Sequence, residues 1–446
     1  MTPARTICLG FLLVIFAGTL LLMLPTALTS GTWGNPITAL FISTSAVCVT
    51  GLAVVDVGTF YTMFGQGIIA LLTQIGGLGY MTATTFLLFL IGKKFSLREK
   101  VTLQQALDRP GIKGGVSLVQ SIIATTLLFE LTGVLVLWLT FRQNPSYTEG
   151  HSLWLAIFHS VSAFNNAGFS LFSNNLMDYV ASAPVNLTIT GLIIFGGIGY
   201  QVIFEIFVWL RSKLTHSREF VAFSLNFKVA VNTTILLLVG GTIAIWLTEH
   251  NNPQTLQNMP TSAQWWAAWF QSVTSRTAGF NTIDNGLIRA TTLFITIALM
   301  FVGASPGGTG GGIKTTTFAI LSGATKAALQ GVEDVNLYNR RIPHSLIVKA
   351  LGVAVGSLIT VILGTVFLLL SDPKFEFAQI LFEVVSAFGT VGLSTGITPK
   401  LSPWGQIILV IIMYIGRVGV LLLMGAIVGD GRKALVKHPE ESLLVG

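Results

Sequence analysis

One short segment recurs four times along the 446 residues of this chain, and the recurrence restricts its fold more than any other feature. Phe41, Ser45, Ala46, Gly51 and Leu52 share their frame with Phe158, Ser162, Ala163, Gly168 and Phe169, and again with Phe382, Ser386, Ala387, Gly392 and Leu393. A further copy, from Phe270 to Gly279 and Phe280, is one residue shorter. The four glycines are therefore separated by 117, 111 and 113 residues. A long apolar run and a shorter helix-like piece precede each copy, and a second apolar run follows it. Span, short helix, glycine-containing loop and span thus make one unit, read in copies at 1–112, 113–227, 228–343 and 344–428, with a tail at 429–446.

Lipid is the solvent such units need. Hydrophobic residues make up 52% of the chain and charged residues 10%, against about 25% charged in soluble domains. Runs long enough to cross about 30 Å of hydrocarbon fall near 7–28, 66–92, 118–141, 185–210, 229–248, 287–302, 346–370 and 404–428. Shorter apolar pieces near 36–47, 152–164, 263–274 and 376–388 suit re-entrant helices. The expected fold is an all-α polytopic membrane protein: four span–pore helix–filter loop–span repeats around a central pore, with eight transmembrane helices and four re-entrant pore helices. The first run lacks a small-residue cleavage site after it and reads as a retained span.

Charge placement orients these spans. Of 25 Lys and Arg, 18 lie at Arg5 and in 93–113, 211–228, 326–349 and 432–437. Arg142, Arg276, Arg289, Lys374 and Lys400 fall on the opposite side, while Lys314 and Arg417 sit in apolar surroundings. The positive-inside tendency places both termini and the unit-to-unit linkers in the cytoplasm, with the short helices facing outward. The net charge of +7 then marks topology and calls for no nucleic-acid partner. Cys8 and Cys48 form no metal-ligand pair, the six His are scattered, and no hydrolase or metalloprotease motif occurs. An enzyme is not expected.

Four non-helical loops at membrane depth need a shared, protein-lined centre, because lipid leaves their amides unbonded. Around such a centre their carbonyls can replace the hydration shell of a monovalent cation. Glycine permits positive φ or a close backbone approach, and each short helix turns a partly negative C-terminal end to the same point. One copy alone reads as a helix C-cap; four at a near-constant period read as a pore. A second echo, Ile75-Gly-Gly-Leu-Gly-Tyr80, Phe195-Gly-Gly-Ile-Gly-Tyr200 and Ile415-Gly-Arg-Val-Gly-Val420, falls midway along the second span of three units. The remaining unit has instead a stretch with six glycines and Pro306 between Gly303 and Gly312, which cannot continue a helix. Ile313 separates Gly312 from Lys314, so this is not a phosphate-binding loop.

In these segments the chain resembles the Trk/Ktr/HKT superfamily of potassium uptake proteins, and most of all its KtrB-type membrane subunits. Val49-Thr50-Gly51-Leu52, Asn166-Ala167-Gly168-Phe169, Thr277-Ala278-Gly279-Phe280 and Thr390-Val391-Gly392-Leu393 look like the four filter segments of that group. The resemblance implies a potassium filter at these glycines, with coordinating carbonyls from the residues just before them. Glycine in the first segment, where sodium-favouring plant relatives carry serine, implies preference for potassium. It also implies that 303–314 is an intramembrane gating loop, with Gly307, Gly308, Gly310, Gly311, Gly312 and Lys314 at work in it and Arg417 as a positive barrier. Further implied are residence in the cytoplasmic (inner) membrane, a homodimer, and a separate nucleotide-binding RCK-type regulatory subunit docked on the basic linkers and tail. No cofactor is implied; potassium is the substrate, with sodium a second candidate ion.

The residues themselves leave alternatives. An unpartnered Arg417 at mid-span would cost about 2.5–3.5 kcal/mol, so it bonds either carbonyls of the Gly-rich loop or an acid such as Glu205. Lys314 either snorkels or shapes the gate. Glu383 and His159 either tune the cation path or hold structure. Asn165 and Asn166 are placed to orient the second loop. Asp56 and Asp284 follow the loops and either attract cations or are simply solvated. Broken helices also occur in sodium- or proton-coupled transporters with alternating access, the alternative to a channel-like pore.

Overall fold

The computed structural model describes residues 3–79, 115–215 and 222–428. The linker 93–113, the end of the expected span 66–92 and the tail 429–446 lie outside the described residues. Helices carry the fold; among the described residues the strands are the antiparallel pair Asn336–Leu337 and Arg340–Arg341.

Four leading helices, Pro3–Leu22, Gly115–Phe141, Leu225–Glu249 and His344–Ser371, contain the unbroken apolar lengths sufficient to cross a bilayer among the described residues. Each is followed by a reversal into a short helix: Pro36–Val47, Glu149–Phe164, Thr261–Thr274 and Phe377–Gly389. Local chemistry sets these starts. Asn35 Oδ1 accepts the Ile37 N–H at 2.8 Å just ahead of Pro36, Thr148 Oγ1 accepts from His151 N–H at 3.3 Å, and Glu376 forms a reciprocal capping box with Gln379. The frame residues Phe41, Phe158, Phe270 and Phe382 are all fully buried, so the short helices sit inside the protein. The Ser43, Ser160 and Ser272 hydroxyls donate to the carbonyls of Ile15, Glu130 and Leu238 at 2.7, 2.6 and 2.8 Å, tying three short helices to their leading helices. Gly18, Gly133 and Gly241 make room for those hydroxyls.

The second span of each unit departs from the expectation. The stretches 185–210 and 404–428 are broken pairs, Ala183–Gly197 with Tyr200–Leu214 and Pro403–Val418 with Val420–Val428, bent by 103° and 96°. Met63–Leu78 stops at Gly79, and Ala290–Phe301 stops at the Gly-rich stretch. A helix of 12 residues rises only about 18 Å, less than the hydrocarbon thickness. The breaks have a local cause: Gly79, Gly199 and Gly419 adopt φ of 78°, 94° and 87°, which no right-handed helix contains. Hydropathy misses them because glycine is frequent inside membrane helices. The first glycine of the same echo, at Gly76, Gly196 and Gly416, lies against the carbonyls of Val47, Phe164 and Phe388. The trailing helices therefore bear directly on the ends of the short helices, where the repeated loops begin.

Candidate functional site

The four repeated loops close into a ring. A Cβ on Gly168 would stand 2.5 Å from the Ala278 carbonyl oxygen and one on Gly279 would stand 2.6 Å from that of Val391; on Gly392 and Gly51 it would strike the carbonyls of Thr50 and Ala167. Each glycine thus abuts the residue before the glycine of a neighbouring loop, and the fourth loop returns to the first. The backbone repeats as closely as the position. Val49, Asn166, Thr277 and Thr390 have φ of 57°, 59°, 67° and 51°, and the glycines two residues on have 91°, 71°, 77° and 93°. Left-handed φ is rare for Val and Thr, yet it recurs here at one register in all four loops.

The helix ends hold this shape. The N–H groups of Thr50, Ala167 and Val391 donate to the carbonyls of Ser45, Ser162 and Ser386, each at 2.8 Å. In the shorter third copy Ala278 N–H reaches Thr274 at 3.0 Å, so the missing residue is taken from the helix end and the loop is preserved. The Ser45 and Ser386 hydroxyls accept the Gly51 and Gly392 N–H groups at 3.0 and 3.1 Å. Those of Ser162 and Thr274 donate instead to the Phe169 and Phe280 carbonyls at 2.8 and 2.6 Å. The short helices also direct the negative ends of their dipoles toward the ring.

On one side the four glycines open into a common cavity of about 310 Å³, lined also by Asp56 and Asp284. Both carboxylates shape turns as well: Asp56 accepts the Gly58 N–H at 2.9 Å and Asp284 that of Gly286 at 2.8 Å. His159 and Glu383 tether the loops that leave the ring. His159 Nδ1–H donates to the Leu155 carbonyl at 2.8 Å while Nε2 accepts from Ser170 Oγ at 3.0 Å. Glu383 accepts from Ser394 Oγ at 2.5 Å, Thr395 N–H at 3.1 Å and Thr398 Oγ1 at 2.9 Å. Gln271, at the same frame position in the third copy, donates to Asn285 Oδ1 at 2.7 Å. Sequence reasoning missed Gln271, although a polar residue after the frame phenylalanine in three of four copies was the available signal. Replacing Glu383 by Ala takes the acceptor from the Ser394 hydroxyl and the Thr395 N–H, and the purified protein is expected to lose about 2–4 kcal/mol of stability. Thermal unfolding monitored by tryptophan fluorescence checks this, with Glu383→Gln losing less.

The other side of the ring is covered by the Gly-rich stretch. Its two ends are pinned together by Gly303 N–H donating to the Ile313 carbonyl at 2.8 Å. A Cβ on Gly310 would strike the Thr277 side chain, and Gly311 N–H donates to Thr390 Oγ1 at 2.9 Å, so the stretch runs beside two of the loops. Ser305 and Thr309 N–H donate to the Gly197 and Gly196 carbonyls at 2.9 and 3.1 Å, and Tyr200 N–H donates to Gly307 at 3.2 Å. Gly308 N–H closes a turn onto Ser305 at 3.1 Å, and Gly312 packs against Gly389. The helix break at Gly199 thus seats this stretch.

Lys314 and Arg417 both bond carbonyls of the Gly-rich stretch. Lys314 Nζ donates to Gly310 at 2.7 Å, and Arg417 donates to Thr309, Gly76 and Gly77. Glu205, the alternative partner, instead accepts the Ser224 N–H and hydroxyl at 2.9 and 2.7 Å. Asn165 donates to the Val161 carbonyl at 2.9 Å and to Glu130 Oε1 at 3.1 Å. Asn166, with its amide nitrogen turned to Ile193 and Thr309 at 3.1 and 3.2 Å, ties the second loop to the Gly-rich stretch. Arg276 corrects the charge census. Expected on the outer side, it is buried, with Nη2 donating to the Gly303 carbonyl at 2.7 Å. Sequence order alone could not separate an outer-loop arginine from one turned inward.

A ring of backbone carbonyls, backed by helix C-termini and opening on a cavity with two carboxylates, is suited to a partly dehydrated monovalent cation. The family described as TrkH, cation transport protein, matches residues 3–428. Over its full length the chain is 41% identical to the Ktr system potassium uptake protein B of Bacillus subtilis, covering 97% of that protein. It is 39% identical over 99% of its length to the protein of the same name from Vibrio alginolyticus, 94% of which is covered. The potassium/sodium uptake protein NtpJ of Enterococcus hirae is 34% identical over the whole chain, with 98% of that protein covered. The fold is similar to the crystal structure of the potassium transporter TrkH from Vibrio parahaemolyticus, with a TM-score of 0.70 over 94% of this chain and 84% of that one, at 18% identity.

Proposed function

The chain belongs to the TrkH family of cation transport proteins, and on that premise we infer that it is the membrane subunit of a potassium uptake system of Ktr type. The closed ring of four glycine loops is the observation that carries this reading. Potassium entering the cavity beside Asp56 and Asp284 exchanges hydration water for the carbonyls of Thr50, Ala167, Ala278 and Val391, with those of Val49, Asn166, Thr277 and Thr390 next along the path. The four units 1–112, 113–227, 228–343 and 344–428 supply one loop each. The four leading helices and the two bent trailing pairs make six crossings among the described residues; taking Met63–Leu78 and Ala290–Phe301 as the starts of two more gives eight spans and four re-entrant helices, in the cytoplasmic membrane with both termini inside.

The Gly-rich stretch 303–314 acts as the gate. It lies across the path below the ring, and the path opens when Gly307 to Gly311 move aside. Arg417 holds the closed position through the Thr309 carbonyl. Replacing it by Ala should change potassium flux by about tenfold, equivalent to about 1.4 kcal/mol between closed and open states. Uptake normalised to the amount of inserted protein checks this, and loss of the protein from the membrane would assign Arg417 a folding role instead. The exposed hairpin around Arg340 and Arg341 belongs to the basic surface on which a cytoplasmic nucleotide-binding partner docks, and the subunit works as a homodimer.

Channel-like passage is favoured over alternating access because the four loops already form a closed ring that needs no rearrangement to meet an ion. Expression in cells that lack their own potassium uptake tests the function: growth at limiting potassium supports it, and no rescue by correctly inserted protein contradicts it. Single-channel currents distinguish the pore from a sodium- or proton-coupled carrier, whose flux would follow the second ion in fixed ratio.

A further inference from the structure

We propose that Arg276 is a positioning residue that clamps the third carbonyl-bearing loop to the fixed base of the Gly-rich stretch, so that the ring keeps its spacing when the gate moves. Arg276 immediately precedes Thr277, whose φ of 67° is one of the four repeated left-handed positions. Its backbone N–H donates to the Val273 carbonyl at 3.1 Å, and its Nη2 donates to Gly303 at 2.7 Å. Gly303 is the base of the stretch, since its N–H closes onto Ile313 and the neighbouring Val302 pairs with Ile313. A Cβ on Gly303 would stand 3.1 Å from Thr277 Cγ2, so base and loop are also in contact.

The middle of the stretch is held by other groups: Arg417, Gly196 and Thr390. Base and middle therefore have separate anchors, and withdrawing the middle leaves the Arg276 bond in place. Arg276 is 7% exposed as a residue, and its Nη1 is buried without a protein partner. Beside it lies a cavity of about 20 Å³ lined also by Asn166, Thr234 and Ala304, room for one water. A buried cation with this little compensation costs more than an apolar side chain of the same length. Holding a carbonyl in place is what the charge adds.

The inference rests on the ring being the filter, and Gly279→Ser serves as the reference for that reading. Arg276→Met, Arg276→Gln and Arg276→Lys are purified and reconstituted in liposomes, and potassium and sodium uptake are measured in competition. Met and Gln are expected to lower the potassium-over-sodium preference by about tenfold, with Lys restoring most of it because one charge-assisted bond to Gly303 survives. A purely structural role would reduce the amount of folded protein and leave the preference of the folded fraction unchanged. Should Arg276→Met fail to insert, Arg276→Gln carries the same expectation. Native preference in the Met and Gln variants, with Gly279→Ser impaired, overturns the clamp alone. Native preference in Gly279→Ser as well overturns the filter reading and the clamp with it.

Discussion

Serine in place of Gly51 or Gly279 lowers the preference for potassium over sodium by at least about tenfold, or about 1.4 kcal/mol, in protein that still reaches the membrane. Two effects act at each site. Gly51 and Gly279 sit at φ of 91° and 77°, where an L residue adds about 1–2 kcal/mol of strain. The added Cβ also overlaps a carbonyl of the adjoining loop: that of Ala167 for Gly51, and the Val391 carbonyl oxygen, at 2.6 Å, for Gly279. Relief requires one carbonyl of the ring to move, and the spacing and number of carbonyls set the selectivity. Gly191, around which a Cβ meets nothing within 4 Å, is the matched control, and its serine variant should transport as the parent does. Competition uptake in transport-deficient cells is the measurement; unchanged discrimination in the Gly51 and Gly279 variants would remove the filter assignment.

Deleting Gly307 to Gly311 is expected to raise potassium flux by about tenfold while leaving the ion preference unchanged. The deletion removes the Thr309 bonds to Gly196 and Arg417, the Gly307 bond to Tyr200 and the Gly311 bond to Thr390. The second and fourth loops lose their ties to Thr309 and Gly311, but the backbone turns of the ring are held by Ser45, Ser162, Thr274 and Ser386 of the short helices, which the deletion does not touch. Flux measured per inserted molecule should therefore rise with selectivity intact. Parental flux in a folded, inserted deletion would show that this stretch is a packing kink and not a gate.

The ring was legible in the sequence because it is built from one unit four times. Any single Ser-Ala-x-x-x-x-Gly is an ordinary helix end, and only recurrence separates it from that background. The third copy lacks a residue, yet the frame remains readable because the deletion falls in the helix end before Thr277. The Gly-rich stretch was legible from composition, and Arg417 from its position inside an apolar run. Family membership followed from the same four segments.

What stayed hidden depends on direction rather than on residue type. Gly199 and Gly419 lie in apolar runs that read as continuous spans, and nothing in hydropathy distinguishes a packing glycine such as Gly196 from the one three residues on that breaks the helix. Gly18, Gly133 and Gly241 are hidden in the sequence for the same reason, although each admits a serine of the following short helix. A charge census places Arg276 outward because it knows sequence order alone, whereas the helix end before it turns its side chain toward Gly303. Glu383 and His159 left two roles open until their partners Thr398 and Ser170 were visible.

Crystals of the protein grown in rubidium or thallium, both heavier substitutes for potassium, test the central claim most directly. Anomalous density is expected on the axis of the ring, within coordination distance of the Thr50, Ala167, Ala278 and Val391 carbonyls. Density confined to other parts of a transport-competent protein, with the ring empty, would contradict it.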